Sequence, residues 1–118
     1  MAACLAVETS SRIPSVYWKD GPNNISLMPE KEALTSDLVS KLHEQVNAKK
    51  INLDDLDTIL VSEGPGNYTG LRVGLSMVQA LALTRNVQIY TFNSLDVIAE
   101  TWRISNSSID EIMVFVEY

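Results

Sequence analysis

The chain predicts a three-layer α/β domain built on a mixed sheet, and three observations carry that prediction. Short apolar runs open the sequence, separated by turn-rich connections as in a hairpin. From residue 29 the apolar residues switch to a helical period. Short β-branched runs then alternate with helical stretches, which is how later strands join a sheet through helical crossovers. The expected order is β-β-β-α-β-α-β-α-β, with the first hairpin antiparallel.

Each element has its own reason. Ala3 to Val7 is an apolar run ending at Glu8-Thr9-Ser10, which suits a buried strand followed by a polar turn. Ser15 to Trp18 and Ile25 to Met28 bracket Lys19-Asp20-Gly21-Pro22-Asn23-Asn24, two strands around a turn. From Pro29 to about Ala48, Leu34, Leu38, Leu42 and Val46 form one apolar stripe, with Val39 beside them and most charges off it. Asn52 to Leu56 reads as a capped helical turn leading into a strand over 58–62. The next helix, Leu71 to about Thr84, is apolar nearly all round. Small residues at Gly70, Gly74, Ser76, Ala80 and Ala82 would let another helix approach it closely. Such a helix needs two neighbours: its own sheet and something else, for which another chain is a candidate. Val87 to Phe92 then reads as a strand, Ser94 to Trp102 as a helix capped by Ser94, and Ile112 to Tyr118 as a last strand.

At 118 residues the chain makes one small domain, residues 1–118, long enough for a core. Apolar residues make up 46% and charged residues 20%, the balance of a soluble globular protein. The net charge of −6 argues against a self-sufficient nucleic-acid binder, since among the scattered basic residues only Lys49 and Lys50 are adjacent. RNA, if involved, would be held by something else. Cys4 is the single cysteine and allows no internal disulfide; a buried strand cysteine in a reducing compartment fits. The N-terminus lacks the basic region and apolar length of a signal peptide, and no run is long enough to span a bilayer. A cytoplasmic protein with no membrane partner is expected.

The most informative stretch runs from Ile59 to Leu83, where a β-branched strand meets a loop carrying Gly64, Pro65, Gly66 and Gly70 and then an apolar helix. Gly64 and Gly66 allow φ > 0 and Pro65 fixes its own φ. Asn67 or Thr69 can accept hydrogen bonds from the first amides of the helix. Exposed amides and the helix dipole make such a junction a possible anion seat; a tight structural turn is the other reading, and spacing leaves both open. No Gly-Lys-Ser/Thr follows, so it is not a Walker A loop.

No catalytic constellation emerges. The only histidine, His43, sits beside the first helical stripe, far in sequence from the loop serines, so neither a hydrolase triad nor a zinc site can be built. Asp54, Asp55 and Asp57 lack the rest of a calcium loop and read as a solvated helix start. Glu8 and Glu63, at the ends of two strands, either approach one another to hold Mg²⁺ or share a proton, or simply face solvent. Arg72 either helps hold an anion or pairs with Glu63.

Two segments carry a family likeness. Leu-Ala-Val-Glu-Thr-Ser at 5–10, and Leu-Asp-Thr-Ile-Leu-Val-Ser-Glu-Gly-Pro-Gly-Asn-Tyr-Thr-Gly-Leu-Arg-Val-Gly-Leu-Ser at 56–76, resemble the TsaB (YeaZ) branch of the TsaD (glycoprotease) family. The register continues through Phe92-Asn93-Ser94-Leu95 to Met113-Val114-Phe115-Val116, over about half of that family's usual length. The resemblance implies one lobe, the first, of a two-lobed actin-like, ribonuclease H-like ATPase fold, with the second lobe absent. It implies a non-catalytic subunit in forming threonylcarbamoyladenosine in tRNA, with no peptidase activity. Such subunits bind a TsaD-like transferase, work with a TsaE-like ATPase, form homodimers when alone, and meet tRNA only indirectly. Their pairing surface is a helix pair, which here would involve Leu34, Leu38, Leu42, Gly70, Arg72, Val73, Gly74, Met77, Val78 and Leu81. A phosphate or nucleotide site of this fold would fall on Glu8, Thr9, Ser10, Gly64, Gly66, Asn67, Thr69 and Gly70. The chain departs from the pattern at Glu8, where the family usually has aspartate. Thr35-Ser36 stand in place of a His-Ser pair, and the transferase branch's paired histidines are missing. With one lobe only, ATP and Mg²⁺ are expected to bind weakly or not at all.

Overall fold

A computed structural model describes residues 2–28, 36–106, 108, 111, 113 and 114. It contains strands β1 (Ala3–Glu8), β2 (Ser15–Asp20) and β3 (Asn23–Leu27), helix α1 (Ser36–Asn47) and a short 3₁₀ turn (Leu53–Asp55). Strand β4 (Leu56–Ser62), helix α2 (Tyr68–Ala82), strand β5 (Gln88–Phe92) and helix α3 (Ser94–Ser105) follow. The sheet order is β3-β2-β1-β4-β5. β1–β2 and β2–β3 pair antiparallel, and β1–β4 and β4–β5 pair parallel, so the sheet is mixed as expected. The last predicted strand, over 112–118, and the start of the first predicted helix, including Leu34, lie almost wholly outside the described residues.

Side-chain alternation places the core. Ala3, Leu5 and Val7 of β1 are buried, as are Val16 and Trp18 of β2 and Ile59 and Val61 of β4. They form one cluster with Leu38 and Leu42 of α1 and Val78 of α2, so these two helices cover one sheet face. The alternate residues of β1, Cys4 and Ala6, are only half-buried, and Tyr17 and Tyr90 are exposed. Ser62 lies on that second face by alternation, and its hydroxyl meets Ser94 at the start of α3, so α3 starts from the side opposite α1 and α2. Of α3 only Ser94 is fully buried.

Three local expectations are corrected. The hairpin turn is shorter than predicted: Asp20 pairs with Asn23, leaving Gly21-Pro22 as a two-residue loop. Gly21 has φ 54° and is followed by the fixed negative φ of proline, an order suited to a tight hairpin. α2 starts at Tyr68, three residues before the predicted Leu71, because Asn67 caps it and accepts from the Gly70 amide at 3.0 Å. α3 is capped by Asn93, whose side-chain Oδ1 accepts from the Leu95 and Asp96 amides, and not by Ser94.

Candidate functional site

The glycine loop is where β1, β4, α2 and α3 converge. Gly64 has φ 92° and leads through a cis peptide to Pro65. Gly66, free to take φ > 0, does not use that freedom; glycine stands there for lack of space, since an added Cβ would run into the Ser10 carbonyl and lie 2.6 Å from its Cβ. The same holds along α2. A Cβ on Gly70 would overlap the Thr9 carbonyl oxygen, and one on Gly74 the Thr9 hydroxyl. Gly70, Gly74 and Val78 follow at intervals of four and are the buried residues of α2, so they form the stripe that rests on the chain's own β1 end.

Hydrogen bonds close the junction further. The Asn67 amide donates to the Ser10 carbonyl at 2.7 Å, and the Ser94 amide to the Gly64 carbonyl at 2.8 Å. Glu8 Oε1 accepts from the Ser10 amide at 2.7 Å and also from the Ser10 hydroxyl. Ser10 and Ser94 hydroxyls meet at 2.7 Å, as do those of Ser62 and Ser94, and the Gly64 amide reaches the Ser62 hydroxyl at 3.2 Å. Thr9, Ser10, Ser62 and Ser94 are all buried.

These residues fit a magnesium–nucleotide pair poorly. Between Thr9-Ser10 and the start of α2 even a methyl group lacks room, and Glu8 already serves Ser10. Among the described residues no three His, Cys, Asp or Glu side chains converge as a metal site would require. Thr69 is exposed, apart from this buried set. Glu63 is likewise exposed, while its backbone amide bonds the Phe92 carbonyl at 2.9 Å. Arg72 lies 5.6 Å from the centre of the Tyr68 ring, a cation–π contact at the surface rather than the considered Glu63 pair.

The second candidate is the outer surface of the helix pair. Val39, Leu42 and Val46 of α1 and Val73, Met77 and Leu81 of α2 line an open apolar cleft of about 450 Å³, with Ser76 and Ala80 in its wall and exposed His43 at its edge. This divides the predicted interface set. Val73, Met77 and Leu81 are half-buried in the cleft wall and Arg72 is exposed beside it. Leu38 and Val78 belong to the core, Leu42 reaches both core and cleft, and Leu34 lies outside the described residues. Gly70 and Gly74 are a correction: they face Thr9, so the close approach they permit is to β1 and not to a foreign helix. The small residues that do line the cleft are Ser76 and Ala80. Their distinction from Gly74 was readable as helix phase once the Gly70–Gly74–Val78 stripe was recognised.

Sequence reasoning misses the buried Ser62 and reads Ser94 only as a helix cap, not as a buried junction residue. Their only signal is a polar residue where a strand or helix should be apolar, and many such serines merely face solvent. Cys4 is free and half-buried; burial, with the Asp57 charge as a lesser cause, raises its thiol pKa.

Comparison with known proteins follows the same outline. A family model described as TsaD, tRNA N6-adenosine threonylcarbamoyltransferase, matches residues 29–116. The tRNA threonylcarbamoyladenosine biosynthesis protein TsaB of Buchnera aphidicola (Schizaphis graminum) is 31% identical over 102 residues, covering 84% of this chain and 48% of that protein. TsaB of Escherichia coli is 28% identical over 103 residues, covering 84% and 44%. The structure of YeaZ from Pseudomonas aeruginosa superposes with a TM-score of 0.76 at 23% identity, covering 91% of this chain and 50% of that one, a likeness of fold. The chain thus spans about half the length of the relatives it matches.

Proposed function

Because the chain belongs to the TsaD family, among relatives named TsaB, we propose that it serves tRNA threonylcarbamoyladenosine biosynthesis as a non-catalytic docking subunit. The cleft between α1 and α2 is its working surface, offered to a TsaD-like transferase subunit or, when alone, to a second copy of the chain. A TsaE-like ATPase completes the assembly, tRNA is met only through the larger partner, and the work is cytoplasmic. Residues 1–118 correspond to one lobe of a two-lobed protein.

The observation that carries this reading is the cleft itself. α2 buries one stripe on its own sheet and still leaves Val73, Met77 and Leu81 only half-covered in the cleft wall. An apolar surface shared by two adjacent helices suits a partner helix laid along it, which would remove those side chains from water. These side chains are already half-covered, so completing the burial of each would contribute about half of the 1.5–3 kcal/mol of a fully exposed one, before the costs of association.

The test is binding of a purified TsaD-like subunit, followed by calorimetry and light scattering, to the wild-type chain and to Met77→Glu. The wild type is expected to bind, and Met77→Glu to weaken binding at least about tenfold with the emission of buried Trp18 unchanged. A wild type that stays monomeric and ignores the subunit, or a Met77→Glu chain that binds as well, overturns the proposal.

A further inference from the structure

We infer that Glu8, Ser10, Ser94 and Ser62 form a one-way hydrogen-bond chain that holds the start of α3 to the end of β1, with Glu8 a positioning residue rather than a cation ligand. The direction follows from the two ends. A carboxylate can only accept, so the Ser10 hydroxyl gives its proton to Glu8. The Ser10–Ser94 contact at 2.7 Å must then use the proton of Ser94. Ser94 has no second proton, so the Ser62–Ser94 contact, also 2.7 Å, uses the proton of Ser62. At the far end the Gly64 amide can only donate, and it does so to Ser62 at 3.2 Å. Each hydroxyl therefore donates once and accepts once, and no proton is contested.

The chain has work to do because apolar packing does little for α3. Only Ser94 of that helix is fully buried, while Val97, Ile98 and Trp102 are 44%, 47% and 50% exposed. The hold on its first turn comes from hydrogen bonds: this chain, the Ser94 amide on the Gly64 carbonyl, and the Asn93 cap. Hydrogen bonds in series polarise one another and lose more than their share when one is cut. The length of the Glu8 side chain is part of the device, since its carboxylate reaches forward two residues to both the amide and the hydroxyl of Ser10.

Amide exchange by NMR tests the inference, with Ser94→Ala, Ser94→Thr, Glu8→Gln and the pair Ser10→Ala and Ser62→Ala. Ser94→Ala is expected to speed exchange in α3 on the order of tenfold while α1 and α2 amides hold, with Ser94→Thr returning most of the protection. Acrylamide should quench Trp102 more strongly without reaching Trp18. Glu8→Gln keeps an acceptor oxygen but loses its charge, and should give a smaller increase at the same amides. Ser10 and Ser62 are bridged by Ser94, so their substitutions should be non-additive when Ser94 is present and additive in the Ser94→Ala background. Should Ser94→Ala not fold, Ser94→Thr and Glu8→Gln report on the same amides. Additive effects with Ser94 present, unchanged α3 exchange in both Ser94→Ala and Glu8→Gln, or a Mg²⁺-dependent shift centred on Glu8 and Ser10 would each overturn the inference.

Discussion

Replacing Gly74 by alanine sets two opposing effects against each other. Alanine favours the interior of a helix over glycine by about 0.8–1 kcal/mol. Against this, the new methyl would overlap the Thr9 hydroxyl and lie 3.3 Å from both Thr9 Cβ and Cγ2. Thr9 is 2% exposed and has nowhere to swing, so overpacking should cost about 1–3 kcal/mol. The net is a loss of roughly 1 kcal/mol, or about 4 °C in Tm for a chain of this size. Thr9→Ala removes the hydroxyl and the γ-methyl, so adding it should relieve much of the overpacking caused by Gly74→Ala. At Gly70 the obstacle is the Thr9 carbonyl oxygen, which no side-chain change removes; Gly70→Ala should cost about 2–3 kcal/mol and stay uncorrected by Thr9→Ala. Urea unfolding followed by tryptophan emission gives these differences, and light scattering checks that association is unchanged. A Gly74→Ala chain stabilised by the full propensity gain would refute the reasoning, because Gly74 would then have to face open space.

Three further outcomes are expected. Lys49, just beyond α1, holds φ 60° and is exposed; Lys49→Gly should stabilise by roughly 0.5–1 kcal/mol in the same unfolding assay. Asn93→Ala removes the acceptor for the Leu95 and Asp96 amides and should cost about 1 kcal/mol, with the loss of exchange protection concentrated in the first turn of α3. Burial raises the Cys4 thiol above its ordinary pKa of 9.0, so the folded chain keeps a proton that the unfolded chain releases. The resulting stability is present below pH 9 and is lost as pH climbs through the raised value; Cys4→Ala should flatten that alkaline decline in Tm, and Cys4 should react with thiol reagents more slowly than a free thiol at pH 8.

Much of the fold was legible because its elements advertise themselves locally. Ala3–Val7 and Ile59–Val61 are apolar, β-branched or small, and too short for helices, so they read as inner strands. The α1 stripe through Leu38, Leu42 and Val46 marks a helix with one covered side. The site was less legible. A glycine does not say whether it stands for φ, as Gly64 does, or for want of space, as Gly66, Gly70 and Gly74 do. Capping was off by one at α3 because both Asn93 and Ser94 have cap chemistry, and only packing sent the Ser94 hydroxyl inward to Ser10 and Ser62.

By itself the sequence determined the alternation of strands and helices, the mixed sheet and the glycine-bearing junction, because propensity, periodicity and turn chemistry act over a few neighbouring residues. Only the tertiary structure decided what each junction residue does. Thr9 and Ser10 meet α2 and its loop from far back along the chain, and Ser10 meets Ser94 across 84 residues. Such contacts arise from sheet order and helix phase, which turn the Gly70–Gly74 stripe inward and leave Val73, Met77 and Leu81 to line the cleft.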